Sequence, residues 1–188
     1  VTKEQARGVR RDWLAQRDAD AACLAAAERL VAADLMSAND AWRKARLSME
    51  ANRATAARNA VNLVAPDDIQ LFDQMNASPI KYLTGRAVVA AKAKKEIVVL
   101  ALVKIAMSDP DAAAVQLDGK WGPMLSAEER NWLWGLIGKQ SAMKLSPMAS
   151  GYFANVSRVK DLSDDMLAWK VRAALRMGQW KEVAPAID

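Results

Sequence analysis

The last segment of the chain, residues 162–187, carries two apolar stripes at helical spacing, one before and one after Gly178. The stripe residues are Met166, Trp169 and Ala173, then Trp180, Val183 and Ile187. Apolar residues three or four positions apart lie on one face of an α-helix. Ser163 stands where a helix needs an N-cap, and Gly178 suits the left-handed conformation in which many helices end. The segment therefore predicts two helices joined at a corner, closed by Trp169 and Trp180.

The composition extends this interpretation to the whole chain. Hydrophobic residues make up 52% of the 188, but many are alanine, and there are only eight glycines and six prolines. Alanine favours helix because its side chain loses no conformational entropy there. No sustained alternation of apolar and polar residues requires a sheet. The sequence therefore predicts an all-α protein, long enough for one or two compact units.

Helix-start signals recur along the chain at the spacing of helix pairs. They are a capping box at residues 2–5, an aspartate at 18 or 20, Asn39 or Asp40, Pro66, Asp109 with Pro110, a capping box at 126–129, and Ser146. Pairs of about 30–40 residues indicate an α-solenoid, in which each pair buries its apolar stripe against the next. We therefore expect antiparallel helix pairs that form an α-superhelix, of the tetratricopeptide-like or the muramidase type.

Two stretches fit this pattern less simply. Residues 87–107 are predicted as helix, although the β-branched run 97–103 alone would also suit a buried strand. The length of the stretch and the absence of a second strand favour helix. Residues 117–123 form the one clear loop, and Trp121 within it is expected to fold back onto a neighbouring helix.

The residue types present exclude several kinds of chemistry. The chain has no histidine, so Ser-His and Cys-His nucleophile pairs and imidazole zinc sites are impossible. Cys23 is the only cysteine, and its alanine-rich surroundings favour a small core residue over a reactive thiol. We predict no metal site and no cofactor. No apolar run approaches the roughly 20 residues of a membrane span, so none is expected.

The charge balance is basic but dispersed. The formal net charge is +5 and the isoelectric point is about 9.4. This balance suits an anionic partner, although dispersed lysines and arginines on helices are commonly solvated faces. Binding of RNA would rest on the isoelectric point alone, because no nucleic-acid motif is present. We predict no nucleic-acid partner.

The order of residues in the last segment is more specific. From Leu162 it reads Leu-Ser-Asp-Asp-x-Leu-Ala-Trp-Lys-Val-Arg-Ala-Ala-Leu-Arg-x-Gly-x-Trp, which resembles the superhelical domain of the soluble lytic transglycosylases. These are bacterial enzymes that cut peptidoglycan glycan strands. The resemblance continues upstream in Val103-Lys-Ile-Ala-Met-Ser-Asp-Pro-Asp-Ala-Ala and in Leu125-Ser-Ala-Glu-Glu-Arg-Asn-Trp-Leu-Trp. It is most specific over residues 100–188.

The resemblance carries implications for domain organisation and activity. It implies that residues 1–188 are the N-terminal part of such a superhelical domain, with the lysozyme-like catalytic domain absent from this chain. The full-length enzyme would cleave the bond between N-acetylmuramic acid and N-acetylglucosamine and leave 1,6-anhydromuramoyl ends. Its location would be periplasmic, with an export signal that is not in this sequence. Its partners would be peptidoglycan glycan strands and, as a further option, other cell-wall proteins.

The catalytic motif of the family is not found in this chain. In the family the catalytic glutamate lies in a Glu-Ser dipeptide, and a Gly-Leu-Met-Gln segment follows it. The glutamates here all precede a residue other than serine: Glu4, Glu28, Glu50, Glu96, Glu128, Glu129 and Glu182. No catalytic residue is therefore carried over, and the resemblance implies a non-catalytic scaffold that positions the strand.

Aromatic side chains are the first candidates for contact with a glycan, because sugars often stack on them. Helical spacing assigns four of the seven tryptophans to the core: Trp13, Trp42, Trp169 and Trp180. Trp132 and Trp134 lie two positions apart on one helix and face different directions, which makes one of them a candidate for exposure. Trp121, in the loop, is the best single candidate for a surface platform.

Basic side chains are the second candidates. Lys170, Arg172 and Arg176 share one helix, and Arg43, Lys44 and Arg46 occupy the corresponding helix of an earlier pair. They form either solvated faces or a positively charged inner wall that attracts the carboxylates of peptidoglycan stem peptides. Trp121, Lys170 and Arg172 are therefore the predicted glycan contacts. The alternative function is an α-solenoid module, unrelated to the cell wall, that binds a protein segment in its concave face.

Overall fold

The computed structural model describes residues 2–85 and 92–179, and within these ranges it contains helices and turns but no strand. The helices are α1 (Lys3–Ala15), α2 (Ala21–Ala32), α3 (Ala38–Glu50), α4 (Ala54–Val64), α5 (Ile69–Ala77), α6 (Pro79–Thr84), α7 (Lys92–Ser108), α8 (Pro110–Gln116), α9 (Ala127–Met143), α10 (Ala149–Ala154) and α11 (Asp164–Arg176). The predicted all-α class is confirmed. The β-branched run 97–103 lies in α7. The second helix predicted after Gly178, with Trp180, lies outside the described residues.

The chain divides into two compact units, Val1–Lys104 and Ile105–Asp188. In the first unit, α1 packs on α2, α3 on α4 and α5 on α6. In the second unit, α9 is the central helix and contacts α8, α10 and α11. Helices that are adjacent in sequence therefore pair in space, as the spacing of the start signals predicts.

Five of the eleven helices in the described residues begin at the predicted caps. The capping boxes at Thr2 and Ser126 are both formed, and Asp20, Asp109 and Ser163 each accept a hydrogen bond from the backbone N–H three residues ahead. The start of α3 differs from the prediction. Its cap is Ser37, and Asp40 is the reciprocal partner that accepts a bond from the Ser37 N–H at 3.0 Å. The helix predicted to begin at Ser146 starts at Ala149 instead.

Four helices end in the same hydrogen-bonded corner. The residue that follows the C-cap is left-handed, with φ of 56° at Asp34, 58° at Asn52, 59° at Leu145 and 69° at Gly178. In each case the next backbone N–H bonds to the carbonyl five residues earlier, at 2.7 to 3.0 Å. This is the Schellman arrangement, which satisfies the last carbonyls of a helix. The predicted corner at Gly178 is confirmed, and those at Asp34 and Leu145 were not predicted.

Large side chains fill both units, and the tryptophans separate by environment. Trp13 and Trp42 are buried in the first unit, as predicted. In the second unit, Trp134 is buried and Trp132 is half-buried. Trp169 was assigned to the core, but it is only half-buried and packs at the edge of a small apolar cluster. Its partial exposure is the first indication of a site.

Candidate functional site

The loop tryptophan does not form a surface platform. Residues Leu117–Trp121 make a wide helical turn, broken by the non-helical backbone of Gly119, and this turn brings the Trp121 ring into the interior. Trp121 is fully buried, and the Lys120 ammonium lies 4.4 Å from its ring centroid on the outer side. The prediction of an exposed ring at Trp121 is therefore wrong, whereas the expectation that the ring folds back is correct. A loop composition says nothing about which way its aromatic residue turns.

Two of the basic residues on the earlier helix have structural partners. Lys44 is only 3% exposed, and its ammonium donates hydrogen bonds to the carbonyls of Trp13, at 2.6 Å, and of Gln16. Both carbonyls lie at the C-terminal end of α1, where a cation complements the helix dipole. Burial lowers the pKa of the Lys44 amine. Lys44 is thus not part of a solvated or charged wall, and it joins α3 to the end of α1.

Arg46 is likewise engaged in the interior of the first unit. Its guanidinium donates two hydrogen bonds to one carboxylate oxygen of Glu96, at 2.7 and 3.1 Å. Glu96 is 5% exposed, so this is a largely desolvated ion pair between α3 and α7. Arg43 alone of the three basic residues on α3 is exposed. The predicted positively charged wall therefore does not exist on this helix.

The basic residues of α11 are different, because they have no acidic partner among the described residues. Arg172 and Arg176 are exposed and one helical turn apart, while Lys170 is half-buried on another face. The Arg172 guanidinium lies 4.9 Å from the centroid of the Trp169 ring, close enough for a cation–π interaction. An indole and two guanidinium groups are thus presented together by one helix.

These side chains line a cleft between α9, α10 and α11. We call it the Trp169 cleft; it is lined by Ala142, Ser146, Ser150, Trp169, Arg172 and Arg176, with Leu145 and Met177 at its edge. Its volume is about 210 Å³. Of the predicted contacts, the structure places Arg172 in the cleft, whereas Lys170 and Trp121 do not line it. Glycan contact by Lys170 and Arg172 stays a prediction.

The floor of the cleft is anchored by contacts that α10 makes on its other sides. Phe153 is buried in a cluster with Ala142, Ala149 and Ala173, against which Trp169 packs. Tyr152 stacks on Trp134 with ring centroids 6.1 Å apart, and its hydroxyl donates to Asp111 at 2.6 Å. Burial and then this carboxylate raise the pKa of Tyr152 to about 12. The phenol therefore stays a neutral donor at ordinary pH.

One polar atom in the cleft lacks a partner. The Ser150 hydroxyl oxygen is buried and makes no hydrogen bond with any described residue. Buried polar atoms without partners are uncommon and call for an explanation. Sequence reasoning did not single out Ser150 or Trp169 as site residues. The one available signal was the i, i+3 spacing of Trp169 and Arg172, which places a cation beside an aromatic ring.

Other kinds of site are not found in the described part of the chain. No cluster of three or more potential metal ligands occurs among residues 2–85 and 92–179. No helix within these residues is both long and apolar enough to span a bilayer. Cys23 is half-buried at the start of α2, and burial raises the pKa of its thiol, which disfavours the reactive thiolate.

Comparisons with known proteins show which known fold the chain resembles. No family model and no curated protein sequence matches the chain. Among solved structures, it is similar to an inactive mutant of the lytic transglycosylase Slt from Pseudomonas aeruginosa, with a TM-score of 0.64 and 21% identity. The match covers 97% of this chain and 30% of that one, so this chain spans about a third of its neighbour. At this identity the likeness shows the fold, and it confirms the predicted helical superhelix of that class.

Proposed function

We propose that this chain is a non-catalytic part of a peptidoglycan lytic transglycosylase, the N-terminal part of its superhelical domain. The observation that carries the proposal is the agreement of two independent likenesses. The residue order from Leu162 to Gly178 resembles that family, and the fold matches a lytic transglycosylase over 97% of the chain. A general helical repeat would account for the fold but not for the specific order of residues.

The proposal includes the activity of the whole protein and its place in the cell. The full-length enzyme would cleave the glycan between N-acetylmuramic acid and N-acetylglucosamine and leave 1,6-anhydromuramoyl ends, through a lysozyme-like domain encoded elsewhere in the gene. It would act in the periplasm. The role of this part would be to hold the strand through the cations of α11, which have no acidic partner among residues 2–85 and 92–179, since stem peptides carry carboxylates. The cations of α11 thus support a binding function, and no catalytic residue is assigned in this chain.

Reversal of two charges on α11 is expected to weaken binding to intact peptidoglycan. The measurement is the fraction of protein that pellets with purified sacculi. For the double variant Lys170→Glu with Arg172→Glu, we expect the affinity derived from this fraction to be about tenfold lower, which is roughly 1.4 kcal/mol of binding free energy. The effect should shrink as salt is raised, because the attraction between exposed charges is screened. The matched control is Arg7→Glu with Arg29→Glu, two exposed arginines of the first unit that give the same change in net charge.

Circular dichroism melting of both double variants verifies that folding is intact. Equal pelleting of the two variants would contradict a specific role for α11. Absence of pelleting by the wild-type protein would contradict the proposed function as a whole. The alternative, a solenoid that binds a protein segment, is favoured by one observation: exposed apolar residues line the cleft, namely Leu145 and Met177. That alternative predicts no affinity for sacculi at any salt concentration.

A further inference from the structure

We infer that the Trp169 cleft binds the free carboxyl-terminal residue of a peptide, with its carboxylate held by Arg172 and Arg176. The inference deepens the proposed function and rests on it for the source of the ligand, which would be a stem peptide of peptidoglycan. It assigns the recognition to a defined cavity, and it adds the Trp169 ring, which the sequence analysis placed in the core, to the two arginines of α11.

Charge is the first argument. Arg172 and Arg176 are separated by four positions on α11, so their side chains emerge from the same face of the helix. Among residues 2–85 and 92–179, no acidic residue lines the cleft and neither guanidinium has an acidic partner. Arginine stays charged at every accessible pH, and its planar fork matches a carboxylate with two parallel hydrogen bonds. The cleft is therefore complementary to an anion of carboxylate geometry.

Size and polarity are the second argument. The cleft is lined mainly by apolar side chains, which are three alanines, Leu145, Met177 and the Trp169 indole. The volume of about 210 Å³ exceeds an engineered cavity of about 150 Å³ that binds benzene, and it falls below the lower limit of about 300 Å³ for ordinary ligand pockets. One small apolar residue fits such a space, and an extended polymer does not. A carboxylate attached to a short aliphatic group would pair with the arginines and would also pack against the apolar floor of the cleft.

Polar groups in the cleft supply the third argument. The buried Ser150 hydroxyl has no hydrogen-bond partner among the described residues, and the half-buried Trp169 indole lines the same cleft. A peptide offers a backbone N–H and carbonyl next to its terminal carboxylate, and these groups are the ordinary partners of a hydroxyl and an indole N–H. An inorganic anion would satisfy the arginines but would leave the apolar floor unused.

The backbone at the edge of the cleft gives the fourth argument. Leu145 is left-handed, with φ of 59°, at a corner position where glycine or asparagine is unstrained. Its side chain is nevertheless 63% exposed and borders the cleft. Because the Leu145 side chain is exposed, burial does not offset the cost of its left-handed backbone. Residues with strained backbone cluster at ligand-binding sites. An apolar contact with the bound residue accounts for a leucine at this position.

The test is a calorimetric titration of the full chain with N-acetyl-alanyl-alanine as the free acid and as its C-terminal amide. We expect the acid to bind saturably and the amide at least tenfold more weakly, because the amide cannot form the paired charged hydrogen bonds. Arg176→Gln and Arg172→Gln should each weaken binding of the acid about tenfold and leave the amide unchanged. Lys160→Gln, an exposed residue of the same unit with the same charge change, should alter neither more than about twofold.

Melting temperatures verify each variant, and the comparison of acid with amide on the wild-type protein stands even if one variant fails to fold. Equal affinity for acid and amide, or arginine variants that behave like Lys160→Gln, would overturn the assignment. Self-association abolished by Arg176→Gln, with no competition from the acid, would overturn it in favour of a second copy of the chain. Binding of the acid without binding to sacculi would refute the proposed function and leave the cleft assignment intact. Binding to sacculi without binding of the acid would refute the cleft assignment and leave the proposed function intact.

Discussion

Replacement of Arg46 by methionine is expected to lower the free energy of unfolding by about 3 kcal/mol. The substitution keeps much of the side-chain volume but removes a guanidinium that donates two hydrogen bonds to Glu96. Because that carboxylate is 5% exposed, water cannot easily replace the lost donor. Removal of one partner from a buried ion pair typically costs about 3–5 kcal/mol, and we expect the lower end because the Arg46 side chain is itself 18% exposed. Chemical denaturation measures the change.

The chain offers a matched control for this prediction. Arg58 also makes two hydrogen bonds with a carboxylate, that of Asp73 at 2.8 and 3.0 Å, but both side chains are nearly half exposed. Arg58→Met should leave the unfolding midpoint almost unchanged, since exposed pairs contribute little. The double variant Arg46→Met with Glu96→Met should recover much of the loss, because it removes the uncompensated charge. Similar effects of Arg46→Met and Arg58→Met would show that burial of Glu96 is not what matters.

Truncation of Phe153 to alanine is expected to have an effect as large or larger. Phe153 is 2% exposed, and its ring packs in a cluster with Ala142 of α9 and Ala173 of α11. Loss of a buried phenylalanine side chain costs about 3–5 kcal/mol through lost transfer free energy and the cavity that remains. We also expect the cleft to lose its floor, so that binding of ligands there is abolished. Val115→Ala, at a residue that is 70% exposed, should change stability by no more than about 0.5 kcal/mol.

A substitution on α9 tests the packing between α9 and α10 from the other helix. A Cβ atom added at Gly138 would lie 2.9 Å from three atoms of the Phe153 ring, which is too close for real contacts. Gly138→Ala alone should therefore destabilise the second unit by about 1–3 kcal/mol. Combined with Phe153→Leu, which withdraws the ring, it should cost less than the sum of the two single changes. Strict additivity in this double-mutant cycle would contradict the packing described for α9 and α10.

Local chemistry made much of the helical frame predictable. Helix caps at Ser126 and Ser163 are visible in sequence because a short polar side chain precedes an amphipathic run, and the cap forms within three residues. The cap at Ser37 was missed because Asn39 and Asp40 are also residues that commonly cap helices. The hydrogen bond from the Ser37 N–H to the Asp40 carboxylate selects Ser37 as the cap. The corner at Leu145 gave no signal at all, since leucine has no preference for left-handed backbone.

Tertiary contacts decided what local patterns could not. Lys44 resembles any solvated lysine in sequence, and the carbonyls that hold it lie 31 and 28 residues earlier. Trp121 lies in a loop by composition, yet its ring is buried. The Trp169 cleft assembles residues from three consecutive helices, and which of their faces meet is set by packing, so only Arg172 among its residues was predicted as a contact. Sequence patterns thus predicted the elements, and the site depended on how the elements pack.

The central claim is that this chain is the scaffold of a lytic transglycosylase, and the most direct test is to determine the coding sequence that follows the codon for Asp188. The account predicts further helix pairs and then a lysozyme-like segment that contains a Glu-Ser dipeptide followed by Gly-Leu-Met-Gln. A stop codon at that point, or an unrelated domain, would contradict the account and would leave a helical superhelix whose partner must be sought among peptides and proteins.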